Sequence, residues 1–209
     1  MPIELTWIGH ASFRVAGRRV VYLDPWKVPA APYDGDLVFV SHSHHDHCSS
    51  EDVAKVRKST GEVVGPASAI AQLGLGRVVS PGQKLTLGGV DLETTRAYNP
   101  GKKFHPREND WMGVVLTLDG MRVYFAGDTD LIPEMGELRN IDVALLPVGG
   151  TYTMTGSEAA EACARIRPAL AIPCHWGDVV GHRAEAEALA AGAGCKVRLL
   201  APGETLALG

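Results

Sequence analysis

Leu37-Val38-Phe39-Val40 is an uninterrupted apolar run, and four histidines and an aspartate follow directly in Ser41-His42-Ser43-His44-His45-Asp46-His47. An apolar run without polar alternation reads as a strand covered on both faces. A loop leaving such a strand stands on a rigid scaffold, so its side chains are held in place. If the loop is extended, His42 and His44 converge on one cation. Asp46 and His47, on the turn beyond, face a second. Neutral imidazole with carboxylate is a donor set for Zn²⁺, Mn²⁺ or Fe²⁺. A solvated histidine tract would have neither the fixed aspartate nor the preceding buried strand.

The rest of the chain alternates between strand-like and helix-like stretches. Residues 3–8, 12–16 and 19–23 are β-rich and separated by glycine or polar turns, as in a meander. A helix is expected over 51–58, capped by Ser49 or Ser50. Strands at 63–64 and 77–79 flank a short helix at 67–73, and further strands are expected at 85–87, 90–96, 114–118 and 121–125. Asp119-Gly120 is a favoured hairpin turn between the last two. In the second half, buried strands at 143–147 and 170–173 alternate with a helix to about 166, opened by the capping box Thr155-Gly-Ser-Glu158, and a helix at 183–191. Strands at 197–200 and 205–208 close the chain. Two β-rich, helix-flanked halves predict an α/β (α+β) protein. The arrangement they suggest is a four-layer αββα sandwich, two sheets face to face with helices outside.

The 209 residues suit one domain over 1–209, and no low-complexity linker divides them. With 45% hydrophobic and 21% charged residues the chain is not disordered. No apolar run approaches the ~18–20 residues that span a bilayer. Glu4 stands where a signal peptide would carry basic charge. Twenty Lys+Arg against 24 Asp+Glu give −4, which offers no bulk attraction to nucleic acid or an anionic membrane. Cys48, Cys163, Cys174 and Cys195 form no CxxC pair, so reduced, buried thiols are expected. These readings predict a cytoplasmic protein with a small-molecule substrate; they leave a homo-oligomer open.

Two later segments place a ligand-type residue just behind a strand. Gly127-Asp128-Thr129-Asp130 follows 123–126, and Cys174-His175-Trp176 follows 170–173. Singly these are turn residues. With the first loop they fit a site assembled at one edge of a sandwich.

HxHxDH behind an apolar strand, then Gly-Asp, then a late histidine resembles the metallo-β-lactamase superfamily. Gly9-His10-Ala11, Leu23-Asp24-Pro25, Ala97-Tyr98-Asn99 and Gly149-Gly-Thr-Tyr-Thr-Met154 look like its bacterial and archaeal branch near the L-ascorbate-6-phosphate lactonases. The resemblance implies the αββα fold, one or two divalent metal ions, and hydrolysis of an ester, lactone, amide or phosphodiester. Carried over by position, His42 and His44 would bind the first metal, Asp46, His47 and His175 the second, and Asp128 would bridge them. The pattern usually supplies a third histidine to the first metal just behind the strand that here ends near Arg96. This chain has Ala97-Tyr98-Asn99 instead, and its next histidine is His105. Either a longer loop delivers His105, or Asn99 takes its place.

Zinc is the metal expected first, with manganese, nickel or iron as alternatives. Two such cations, with Asp46, Asp128 and a bridging hydroxide, leave a net charge of about +1, enough to activate water and stabilise a developing oxyanion. Asp46 can also pass a proton to the leaving group. His10 and Asp24 are expected beside the ligands, Asp24 orienting a histidine. His45 is expected to point away, His182 to be solvated, and Asp130 to cap a helix from Leu131. Tyr152 and Met154 belong to a loop leading into the Thr155 helix start, whose free N–H groups could hold a phosphate or carboxylate. Four tryptophans near these segments hint at an aromatic-walled pocket. The expectation is a metal-dependent hydrolase in which metal-bound hydroxide attacks a small anionic ester, lactone or phosphoester. The rivals are a phosphodiesterase or nuclease-type hydrolase and a non-catalytic metal sensor on the same fold.

Overall fold

The computed structural model describes residues 2–209. Its first sheet is built from β1 (Ile3–Gly9), β2 (Ser12–Ala16), β3 (Val20–Leu23), β4 (Gly35–Phe39), β5 (Arg57–Gly65) and β6 (Arg77–Val78), joined at its edge by β14 (Thr205–Leu208) in the order β14-β1-β2-β3-β4-β5-β6. The second runs β13-β12-β11-β10-β9-β8-β7, from β7 (Lys84–Leu87), β8 (Val90–Arg96), β9 (Met112–Leu118), β10 (Met121–Phe125), β11 (Val143–Pro147), β12 (Leu170–Cys174) and β13 (Lys196–Val197). Four helices complete it: α1 (Ser50–Val56), α2 (Ala67–Leu73), α3 (Gly156–Ile166) and α4 (Arg183–Gly192).

Period-two alternation assigns the layers. Leu37 and Phe39 of β4 share one buried cluster with Val123 and Phe125 of β10 and with Val143 and Leu145 of β11, between the sheets. The intervening Val38 and the adjoining Val40 pack with Val53 and Val56 of α1 and Ala69 and Ile70 of α2. On the far side Tyr124, Ala144 and Leu146 pack with Ala159, Cys163 and Leu189 of α3 and α4. The expected αββα layering is therefore present. Leu37–Phe39 of β4, Val123–Phe125 of β10, and β11 and β12 throughout are apolar because both of their faces are covered.

Several expectations are corrected. The helix beginning near residue 50 ends at Val56, and Arg57–Gly65 is one long strand, because its backbone pairs with β4 at Gly35↔Arg57 and again at Leu37↔Glu62. The strand expected at 197–200 is only Lys196–Val197, which pairs with β12, whereas β14 pairs with β1 in the other sheet. No helix starts at Leu131; a 3-10 turn spans Pro133–Glu137 instead. Asp130 makes no cap. Its Oδ1 accepts from Lys102 Nζ at 2.6 Å. Among the described residues no helix is long and apolar enough to cross a membrane.

Candidate metal centre

β4 ends at Phe39, and the chain runs on through Val40 and Ser41 into the histidine loop. Ser41 is fixed by Asp24 from the turn after β3, whose Oδ1 accepts from Ser41 N–H at 2.6 Å and Oδ2 from the Ser41 hydroxyl at 2.5 Å. The same Oδ2 lies 2.6 Å from His47 Nδ1. A carboxylate there requires the proton on Nδ1, which turns a bare Nε2 lone pair away from it. His10 Nε2 lies 3.1 Å from Asp46 Oδ2.

Three loops deliver the remaining groups. Asp128 follows β10 on a turn that needs Gly127 at φ +65°, where a Cβ would stand 2.9 Å from the Met112 carbonyl. His175 follows β12, and its backbone N–H donates to the His10 carbonyl at 2.8 Å. Gly149 leaves room for the ring, since a Cβ there would meet His175 Nδ1 at 2.8 Å. His105 arrives on the long loop between β8 and β9, with Asn99 N–H donating to the His105 carbonyl at 2.9 Å. His10, Asp24, His105 and His175 all adopt positive φ, between 41° and 59°. For non-glycine residues this costs about 1–3 kcal/mol each and persists where surrounding structure enforces it.

These loops gather two facing donor groups: His42, His44 and His105, and His10, Asp46, His47 and His175. Asp128 lies between them, with Oδ1 3.4 Å from His47 Nε2 and Oδ2 3.0 Å from His175 Nε2, 3.3 Å from His105 Nε2 and 3.9 Å from His42 Nε2. The structure thus brings His105 rather than Asn99 to His42 and His44. Asn99 braces the loop instead, donating from Nδ2 to the Tyr152 carbonyl at 2.5 Å.

Burial holds His42 well below the ordinary histidine range and lowers His44 and His10. Burial opposes charge on His47 and Asp128 as well. Their attraction to surrounding groups, chiefly Asp128 on His47 and His175 on Asp128, outweighs it, so His47 is raised and Asp128 kept well below the carboxylate range. The buried atoms His47 Nε2, His105 Nε2, His175 Nε2 and Asp128 Oδ1 have no hydrogen-bond partner. A buried polar group left unpaired costs about 1–3 kcal/mol. Several such lone pairs turned toward one another, imidazole and carboxylate only, fit one or two divalent cations.

A cleft of about 260 Å³ opens over the cluster. Tyr152 lines it, but Met154 is fully buried among Tyr124, Ala144 and Leu146 and does not reach the site. The expected anion cradle at α3 is also absent. Glu185 Oε2 accepts from Gly156 N–H at 2.6 Å, and the capping box occupies the N–H groups of Thr155 and Glu158. Trp111 packs on His42 and His44, each at 4.8 Å between ring centroids, while Trp7, Trp26 and Trp176 line a neighbouring cavity that meets the site at His10. His182 is exposed, as expected; His45 is exposed too but does not point away as expected, since it lines the cleft beside His44 and Asp46. Cys48 and Cys174 are buried and not among the facing donors; burial raises the Cys48 thiol to about 11 and holds the Cys174 thiol well above its ordinary value. Sequence reasoning passed over Ser41 and Val179. Only the position of Ser41, at the mouth of the buried strand, could have marked it.

Sheet pairing, layers and cluster define a class: residues 4–175 match the beta-lactamase superfamily domain, and the chain belongs to that superfamily. Within it, the chain is 37% identical over 199 residues to a UPF0173 metal-dependent hydrolase of Nitratidesulfovibrio vulgaris, covering 85% of this chain and 81% of the relative. It is 33% identical to the Thermoplasma acidophilum protein of the same description, with 92% and 91% covered. Among solved structures, a Parabacteroides distasonis protein described as a metal-dependent hydrolase superposes with TM-score 0.84 at 35% identity, covering 94% and 92%. Igni18, a metallo hydrolase of Ignicoccus hospitalis, gives 0.81 at 27%, covering 100% and 99%.

Proposed function

We propose that the protein is a hydrolase of a small ester, lactone or phosphoester, working with one or two divalent metal ions, zinc first among them. The carrying observation is the pair of facing donor groups with Asp128 between them and their buried, unpartnered lone pairs. His42, His44 and His105 would hold one ion, Asp46, His47 and His175 the other, with Asp128 shared. When bound, such an ion supplies Lewis acidity and lowers the pKa of a coordinated water toward ~7. Asp24 and Ser41 keep the His42–His47 loop in register, and His10 holds one oxygen of Asp46. Asp46, at the cleft wall, accepts a proton from attacking water and returns it to the leaving group. This reading takes 1–209 as one domain acting on a small molecule in the cytoplasm, without nucleic acid or membrane.

The test is turnover of p-nitrophenyl butyrate and bis-p-nitrophenyl phosphate by zinc- or manganese-loaded protein, before and after chelation. Chelation should abolish turnover, and Asp128→Asn should reduce it by at least about a hundredfold with the fold intact, because a neutral amide bridges two cations poorly. Metal-loaded protein that turns over neither compound, or Asp128→Asn within tenfold of wild type with both ions retained, would sink the reading.

A further inference from the structure

The rim of the cleft differs chemically from its floor. Five large apolar side chains are exposed among the described residues, and two of them, Phe104 (42%) and Val179 (43%), lie on this rim. Isolated exposed apolar residues are ordinary; two converging on the mouth of a polar site form a ligand-facing patch. They come from loops far apart in the chain, the first between β8 and β9 and the second behind β12. The Phe104 ring also meets Tyr152 edge to face, with centroids 4.7 Å apart and planes at 87°. Asn99 ties the Phe104 loop to the Tyr152 loop, through the Tyr152 carbonyl and the His105 carbonyl.

Fixed cations are missing from the same surface. No lysine or arginine lines the cleft. Lys102 is engaged by Asp130 and by the Thr153 carbonyl at 3.3 Å, and Lys27 pairs with Asp178 at 2.7 Å. Lys103 adjoins Phe104 in sequence but does not line the cleft. The α3 N-terminus is filled by this chain's own carboxylates. A charged group carried away from the reacting centre would lose water against Phe104, Tyr152 and Val179 and meet no lysine or arginine there.

We propose that the substrate is an uncharged ester or lactone whose non-reacting part is aromatic or branched aliphatic and packs on Phe104, Tyr152 and Val179, with its carbonyl at the histidine–aspartate cluster. This rests on the hydrolytic reading above and narrows it, replacing the anionic substrate expected from sequence by a neutral one. A cleft of about 260 Å³ is at the small end for ligand sites, which suits a single ring or short branched chain.

Binding separates the two claims without turnover. Zinc-loaded protein is titrated calorimetrically with acetohydroxamic acid, phenylacetohydroxamic acid and succinic monohydroxamic acid, which share a metal-binding head and differ in the tail. The phenyl tail should tighten binding about tenfold over acetohydroxamic acid, and the carboxylate tail should give no gain. Phe104→Ala and, separately, Val179→Ser should remove most of the phenyl advantage and leave acetohydroxamic acid unchanged. Both positions are exposed, and a urea melt confirms that each variant folds. Lys103→Ala should change none of the three. A carboxylate tail that binds as tightly as the phenyl tail, or a phenyl advantage surviving both rim variants, overturns the neutral-substrate proposal and leaves the hydrolytic reading standing. If acetohydroxamic acid fails to bind zinc-loaded protein, the hydrolytic reading falls and this proposal with it.

Discussion

Asp24→Asn isolates the support beneath the cluster. The side chain is fully buried, and its two oxygens serve three donors: Ser41 N–H, the Ser41 hydroxyl and His47 Nδ1. Asparagine keeps the shape and tolerates the left-handed backbone at φ 41°, so strain adds little. Its amide oxygen can replace only one carboxylate oxygen; its NH₂ group must then face a donor. If the oxygen stays on Ser41 N–H, His47 loses the acceptor that fixes its tautomer. One buried donor without a partner costs about 1–3 kcal/mol, which urea unfolding of the metal-free variant should show. Outer partners of a metal-bound histidine are worth about 10–100-fold in affinity, or roughly 1.4–2.7 kcal/mol. Zinc affinity for one equivalent, measured by competition with a chelator, should therefore fall 10–100-fold while the other equivalent is held as before. Should the variant lose stability yet bind both equivalents as tightly as wild type, Asp24 would be a brace for Ser41 alone, and the argument from the His47 tautomer would be refuted.

Two further outcomes are expected. His105→Ala should weaken one metal equivalent by at least about 10–100-fold, whereas Asn99→Ala should act mainly through loop order; two unaltered binding steps in the His105 variant would remove it from the donor set. Asp36, almost fully buried, accepts from Val20 N–H at 2.9 Å, from Arg19 at 3.0 Å and from Lys58. Although burial opposes its charge, Lys58, Val20 and Arg19 outweigh it and lower its pKa. A folded pKa below the unfolded value of ~3.9 means that the contribution is present above pH ~4 and is lost as pH falls through the folded value. Asp36→Asn should thus cost about 1–3 kcal/mol at pH 7 by urea unfolding, and the gap to wild type should close below pH ~4; a gap independent of pH would contradict the charge argument.

Local chemistry made much of this protein legible. The apolar run into His42-x-His44-x-Asp46-His47 announced a doubly covered strand ending in a donor loop, because burial on both faces removes polar alternation. The Thr155–Glu158 capping box marked the start of α3 within a residue, since both of its hydrogen bonds close within four residues. Elsewhere local signals were overridden by distant partners. Helix propensity past Val56 yielded to pairing with β4, and the closing strand crossed to β1 at the other end of the chain. The competition between His105 and Asn99 was undecided by spacing, because a loop's reach depends on what it packs against; the Tyr152 carbonyl, 53 residues away, takes the asparagine and leaves the histidine at the cluster. Residue order along the chain specifies which donor types the protein carries and which strands deliver them. The tertiary structure alone decided which donors converge, because His47 with Asp128, and His42 and His44 with His105, meet only after two sheets, set face to face, bring their loop ends to one edge.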